Sequence, residues 1–209
     1  MSSPEQEQIS QPEQQGLSEP EQQRFSEEDR WTLLDLAESS IRHGLDEGGA
    51  LSIRPEAYPE SLRVQRASFV TLKRHHQLRG CIGHLEAFQS LVQDVAENAW
   101  SAAFRDPRFA PLRPHELPGL TIHISVLSPP EPISFTDEMD LLDKLRPGVD
   151  GLILKDGPSQ GTFLPSVWKS LKTPVEFWFH LKEKAGLPNN YWSDTLMVSR
   201  YTTESFPEE

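Results

Sequence analysis

The sequence predicts an α+β fold, a mixed and mostly antiparallel sheet with flanking helices. Three observations carry that reading. Helical and strand periodicities alternate irregularly along the chain, without the βαβ regularity of a doubly wound nucleotide fold. "LTIHISVL" (120–127) alternates strictly: Leu120, Ile122, Ile124 and Val126 take one face, Thr121, His123 and Ser125 the other. Two stretches, "ASFVTLKRHHQLRGCIG" and "DGLILKDGPSQGTFLP", read as strand, polar turn, strand.

The elements follow in order. "SEED" is a capping signature, with Ser26 as cap and Asp29 three residues on. Trp31, Leu33, Leu34, Ala37 and Ile41 then make an apolar helical face, and Gly44 offers a stop. The glycines and prolines of 46–62 predict a loop. "ASFVTL" (67–72) is a strand by its Phe, Val and Thr content, "KRHHQ" a hairpin turn and "LRGCIG" the returning strand. Leu91, Val92, Val95, Ala96, Ala99, Trp100, Ala103 and Phe104 recur at helical spacing and stop before Pro107. After the 120–127 strand and its closing prolines, 136–145 predicts a short helix capped by Thr136. A helix runs from Pro174 to Gly186, and 195–201 is the last strand.

With 209 residues, 36% of them hydrophobic, the chain can build one sizeable core, or one core and a small second lobe. No apolar run approaches the roughly 20 residues that span a bilayer. The N-terminus lacks the apolar stretch of a secretion signal, and a lone cysteine forms no internal disulfide; both fit a cytoplasmic protein. A net charge of −12 repels polyanions, so nucleic-acid binding is not expected. Residues 1–28 carry seven acidic side chains against one basic, Arg24, which is half of that charge. "PEQE", "PEQQ" and "PEQQ" begin at Pro4, Pro12 and Pro20. Residues 1–25 are therefore expected to be a disordered Gln/Glu/Pro-rich tail, and 26–209 the folded domain.

The chemistry concentrates in "QLRGCIGHLE" (77–86), which holds Cys81, the only cysteine. Two readings stand side by side. Gly80 and Gly83 either bend a strand packed close to its neighbours or expose amides that, with Arg79, cradle an anion. Cys81 is either a small buried residue or a thiol nucleophile activated by neighbouring Arg79 and His84. His75, His76, Cys81 and His84 offer zinc-type donors, but without a CxxC pair or HExxH spacing. His123 lies on the polar face of its strand, which is either wet or the floor of a cleft where an imidazole moves protons. Asp106 and Arg108 read as a turn and an ion pair, Trp178 and Phe179 as helix core.

"FVTLKRHHQLRGCIG", "DPRFAPLRPHEL", "ISVLSPPEPI", "GVDGLIL" and "GTFLPSVW", in that order, resemble the AMMECR domain family, whose bacterial members are called AmmeMemoRadiSam system protein A. The resemblance spans about residues 30 to 206, and LRGCIG is its hallmark. It implies an α+β domain with a larger and a smaller lobe and a cleft between them, with the hallmark stretch at the functional site. It also implies a role beside a Memo-like protein and a radical-SAM protein. This chain has no CxxxCxxC run and cannot itself hold the radical-SAM cluster; its own cofactor is unknown. It departs from the family pattern at His123, where Glu is frequent, and at Arg66, where the first strand usually begins with Gly.

Two functional expectations result. In the enzyme reading, Cys81 is the nucleophile or redox thiol and His84 or His123 moves protons. Arg79, Gly80, Gly83, Thr71 and Ser125 then contact the substrate. In the binding reading, LRGCIG forms a docking groove for a small molecule, peptide or partner, with no activated thiol. A structural role would bury Cys81.

Overall fold

The computed structural model describes residues 24–207. Among the described residues there are five α-helices: α1 Glu27–Glu47, α2 Glu60–Arg63, α3 Leu91–Phe104, α4 Glu138–Lys144 and α5 Pro174–Lys184. The strands are β1 Ser68–Arg74, β2 Gln77–Gly83, β3 Leu120–Leu127, β4 Glu131–Pro132, β5 Gly151–Asp156, β6 Ser159–Phe163, β7 Met197–Tyr201 and β8 Thr203–Phe206. They form two four-stranded sheets, in the orders β2-β1-β3-β8 and β4-β7-β5-β6. Every strand pair in them is antiparallel. The α+β class holds, with two sheets in place of one.

Each sheet has its own core. Alternation sends Val70 and Leu72 of β1 and Ile124 and Val126 of β3 to one face, where α1 and α3 cover them. Leu33, Leu36, Ala37 and Ile41 of α1 meet Val92, Val95, Ala96 and Ala99 of α3 there. Each fully buried Leu or Ile contributes about 2 kcal/mol over an exposed one. The second sheet buries Leu152, Leu154 and Val198 against Phe177, Trp178 and Leu181 of α5. Trp168 stacks on Phe177 with ring centroids 3.9 Å apart. A third, small cluster joins the lobes: Ala67, Leu127, Ile153 and Tyr201 are buried together, with Phe69, Leu85 and Leu164 against them. Ala67, Phe69 and Leu127 belong to the opposite face of the first sheet from Val70 and Ile124. One end of that second face is thus roofed by the smaller lobe.

Several expectations change. Helix α1 passes through Gly44, which is buried against Trp100 and Phe104, and ends where Gly48 adopts φ 79° and caps Gly44. Trp31 is 65% exposed, because the buried stripe runs through Leu33, Leu36, Ala37, Ser40 and Ile41, off its side of the helix. The 46–62 loop holds a 3-10 turn at Pro55–Ala57 and the start of α2. Asp137, not Thr136, caps α4 by accepting from the Asp140 N–H. Strand β8 was not expected. The tail lies outside the described residues except for Arg24 and Phe25. Phe25 packs on the first core, and its N–H donates to the Glu204 carboxylate.

Candidate functional site

The β1–β2 hairpin turns at His75 and His76, both at positive φ (51° and 63°), which is why the turn needs only two residues. Thr71 pairs with Cys81 on one side and with His123 on the other. Thiol, hydroxyl and imidazole therefore share one cross-strand row, with backbone positions of Cys81 and His123 about 10 Å apart. The Cys81 Sγ lies 3.2 Å from Thr71 Oγ1. The same face carries Ser125, two residues along β3, whose hydroxyl is 2.8 Å from that of Ser205. Cys81, Thr71, His123 and Ser125 are all half-buried. Four of the eight sequence-predicted residues thus meet on one polar face, beside the end roofed by the smaller lobe.

Arg79 goes elsewhere. The register between β1 and β2 shifts at Leu72/Lys73, where Leu72 faces Gly80 and Lys73 faces Leu78. Arg79 is the extra residue of that bulge, and simple alternation with Cys81 fails there. Its guanidinium makes a forked ion pair with Glu116, at 2.8 and 3.0 Å, and also donates to the Ala110 carbonyl. The Arg79 hydrogen bond is the main reason the Glu116 carboxyl is lowered from 4.5 to about 2.

Strand β2 is an edge, and both main-chain groups of Cys81 point off it. The loop after α3 satisfies them. Asp106 accepts from the Cys81 N–H at 2.8 Å, and Arg108 donates to the Cys81 carbonyl at 3.2 Å. Asp106 and Arg108 pair with each other at 2.6 Å. The hydrogen bond from Arg108 holds the Asp106 carboxyl well below the usual carboxylate range. The expected ion pair is present, and it clamps the backbone that carries the thiol.

The glycines have packing reasons. A Cβ on Gly80 would stand 2.1 Å from the Ala102 carbonyl of α3, and one on Gly83 would stand 2.4 Å from the Ser68 carbonyl and the Phe69 ring. Close backbone approach alone explains glycine at both positions.

His84 stands beyond the strand, its Nδ1 2.7 Å from Asp94 Oδ1. Asp94 is fully buried and also accepts from the Ser68 N–H, the Ser68 hydroxyl and Asn98. A carboxylate only accepts, so the His84 proton is assigned to Nδ1. His84 pairs with Asp94 and packs edge-on against Phe88, so the sheet separates it from the thiol beside which the sequence set it. Among the described residues, no three His, Cys, Asp or Glu side chains come together as metal ligands.

Sequence reasoning missed Asp94, Asn98 and Glu116, and underrated Asp106. The signal for the first two was there: Asp94 and Asn98 lie four residues apart on the buried face of α3, where a polar pair needs a partner. The described residues contain no helix long and apolar enough to cross a membrane.

A cavity of about 470 Å³ opens between the lobes. None of the eight residues lines it; its wall begins at Leu85, one residue past His84.

Comparison with known proteins matches this architecture throughout. A protein of Methanothermobacter thermautotrophicus is 37% identical over 185 residues, covering 85% of this chain and 93% of that one. A Thermococcus gammatolerans protein is 39% identical, with 87% and 92% covered. The crystal structure of a Pyrococcus horikoshii protein superposes with a TM-score of 0.75 at 34% identity, covering 83% of this chain and 88% of that one. The AMMECR1 family profile matches residues 34–206, which contain both sheets, the Cys81 row and the clamp around it, and the chain belongs to the AMMECR1 family.

Proposed function

We propose that the Cys81–Thr71–His123 row is a thiol-based reactive site for a small electrophilic substrate. The observation that supports it is the register, which puts a half-exposed thiol, a hydroxyl and an imidazole side by side. In this reading the Cys81 sulfur adds to the carbon of a C=O or activated C=C bond, the π pair of that bond moves to its far atom, and the thiol proton leaves toward the imidazole, with Thr71 between them. The Asp106–Arg108 clamp fixes the strand that carries the sulfur, so that reaction costs little reordering. His84, held by Asp94, is a positioning element of the neighbouring segment in this scheme.

The experiment uses the single cysteine. The native chain is incubated with a panel of small electrophiles, and its intact mass is measured. One adduct, mapped to Cys81 in folded protein, is the expected result. Adducts that form only after unfolding in urea would remove the thiol from the chemistry.

A second reading has its own support. Arg79 and Arg108 commit their guanidinium groups to Glu116 and Asp106, and the glycines are required by packing. Among the described residues, the Arg79 and Arg108 guanidinium groups are thus held in ion pairs rather than turned to an anion beside the thiol, as a non-catalytic docking face would have it. Action beside a Memo-like protein and a radical-SAM protein is proposed from the family resemblance. Co-purification of the Memo-like protein with this chain is the expected outcome, and its absence at cellular concentrations would count against that association.

A further inference from the structure

The cavity between the lobes is separate from the thiol row and has a chemistry of its own. Its floor is apolar: Ala67, Leu127 and Ile153 are buried there, and Leu85 and Pro129 continue it. About 470 Å³ lies within the range of roughly 300–1,000 Å³ that small-molecule sites occupy. Three charged side chains line it, namely Arg66, Glu86 and Lys155. Glu86 and Lys155 are joined at 2.9 Å and neutralise each other. Arg66 is half-buried, and its guanidinium donates to the neighbouring Gln65 carbonyl rather than to a carboxylate.

Among the described residues the rim therefore carries one uncompensated positive charge, in a chain whose net charge is −12. An apolar floor under a single guanidinium suits an amphipathic monoanion. Arginine presents a planar fork that fits a carboxylate with two parallel hydrogen bonds. Gln160 and Ser199 add neutral hydrogen-bonding groups across the opening, on the second sheet. Because the floor residues are the ones that join the lobes, an occupant would rest on the seam itself.

We propose that this cavity binds a small organic monocarboxylate, its apolar body on Ala67, Leu127 and Ile153 and its carboxylate on Arg66. The inference does not depend on the reactivity of Cys81.

The test is an amide ¹H–¹⁵N titration of the full chain. The probes are hexanoate, octanoate, decanoate and 4-phenylbutyrate, each beside its matched alcohol. At least one carboxylate is expected to shift the amides of Ala67, Leu85, Leu127 and Ile153 saturably and to bind about tenfold more tightly than its alcohol. Arg66→Gln should bring acid and alcohol to parity, Arg66→Lys should keep part of the preference, and Arg54→Gln should leave it whole. No saturable shift at those amides for any probe would overturn the proposal. So would equal binding of acids and alcohols, or an acid preference that survives Arg66→Gln.

Discussion

Gly80 sits under the α3 backbone, and Ala102 cannot move aside as a flexible side chain would. Gly80→Ala, whose Cβ would lie 2.1 Å from the Ala102 carbonyl, should lower stability by about 2–3 kcal/mol in urea denaturation. If the glycine served only to admit a ligand, the midpoint would not move. Glu116 gives a second test at this scale. Its folded value of about 2 is depressed from 4.5, so its contribution is complete above about 4.5 and is lost as pH falls through about 2. The unfolded chain binds the extra proton in that window, which makes stability fall with falling pH. Glu116→Gln should cost about 1 kcal/mol at neutral pH, since solvent screens the pair, and flatten the acid limb of a stability–pH curve. Asp106, shifted in the same direction, leaves part of that limb in place. The donors of the site were legible as residue types: Cys81, Thr71, His123 and Ser125 stand on strands whose period-two pattern reads directly. Asp106 was legible as the ion-pair partner of Arg108 but not as the acceptor for the Cys81 N–H, and Glu116 was not legible at all, because a carboxylate that serves a distant group looks in sequence like any surface acid.

At the scale of elements, the outer edge of β2 is closed by side chains rather than by a strand. Asp106→Ala would strip the acceptor from the Cys81 N–H and the partner from Arg108. We expect a loss of about 2–3 kcal/mol and faster hydrogen exchange at the Cys81 amide, with β3 amides changed less. Equal acceleration across the whole first sheet would mean global destabilisation rather than an opened edge. The long elements were legible for the reason that their cores are continuous. Helix α3 buries Leu91, Val92, Val95, Ala96 and Ala99 on one stripe, and that spacing is visible without a structure. Element ends were less so. Gly44 looked like a stop, but its missing side chain serves the crossing with Trp100 and Phe104, and the stop is Gly48. Strand β8, four residues of "TESF", is too short for a period to show, and its pairing with β3 is a long-range fact. The bulge at Arg79 is invisible in sequence because it depends on how two strands register.

For the whole molecule, the two antiparallel sheets have separate cores and meet through a few residues around Tyr201, Ile153, Ala67 and Leu127. That arrangement puts the thiol row in the polar part of the larger lobe's second face and the cavity at its roofed end. Composition announced room for a second lobe, but which face it would cover depends on contacts far apart in the chain. Whether the row works as a unit is tested most directly by the rate of Cys81 labelling by iodoacetamide in native protein. Wild type should label without unfolding, and both Thr71→Val and His123→Gln should slow labelling tenfold or more while the chain stays folded. Labelling at the same rate in all three proteins, or only in urea, would contradict the account.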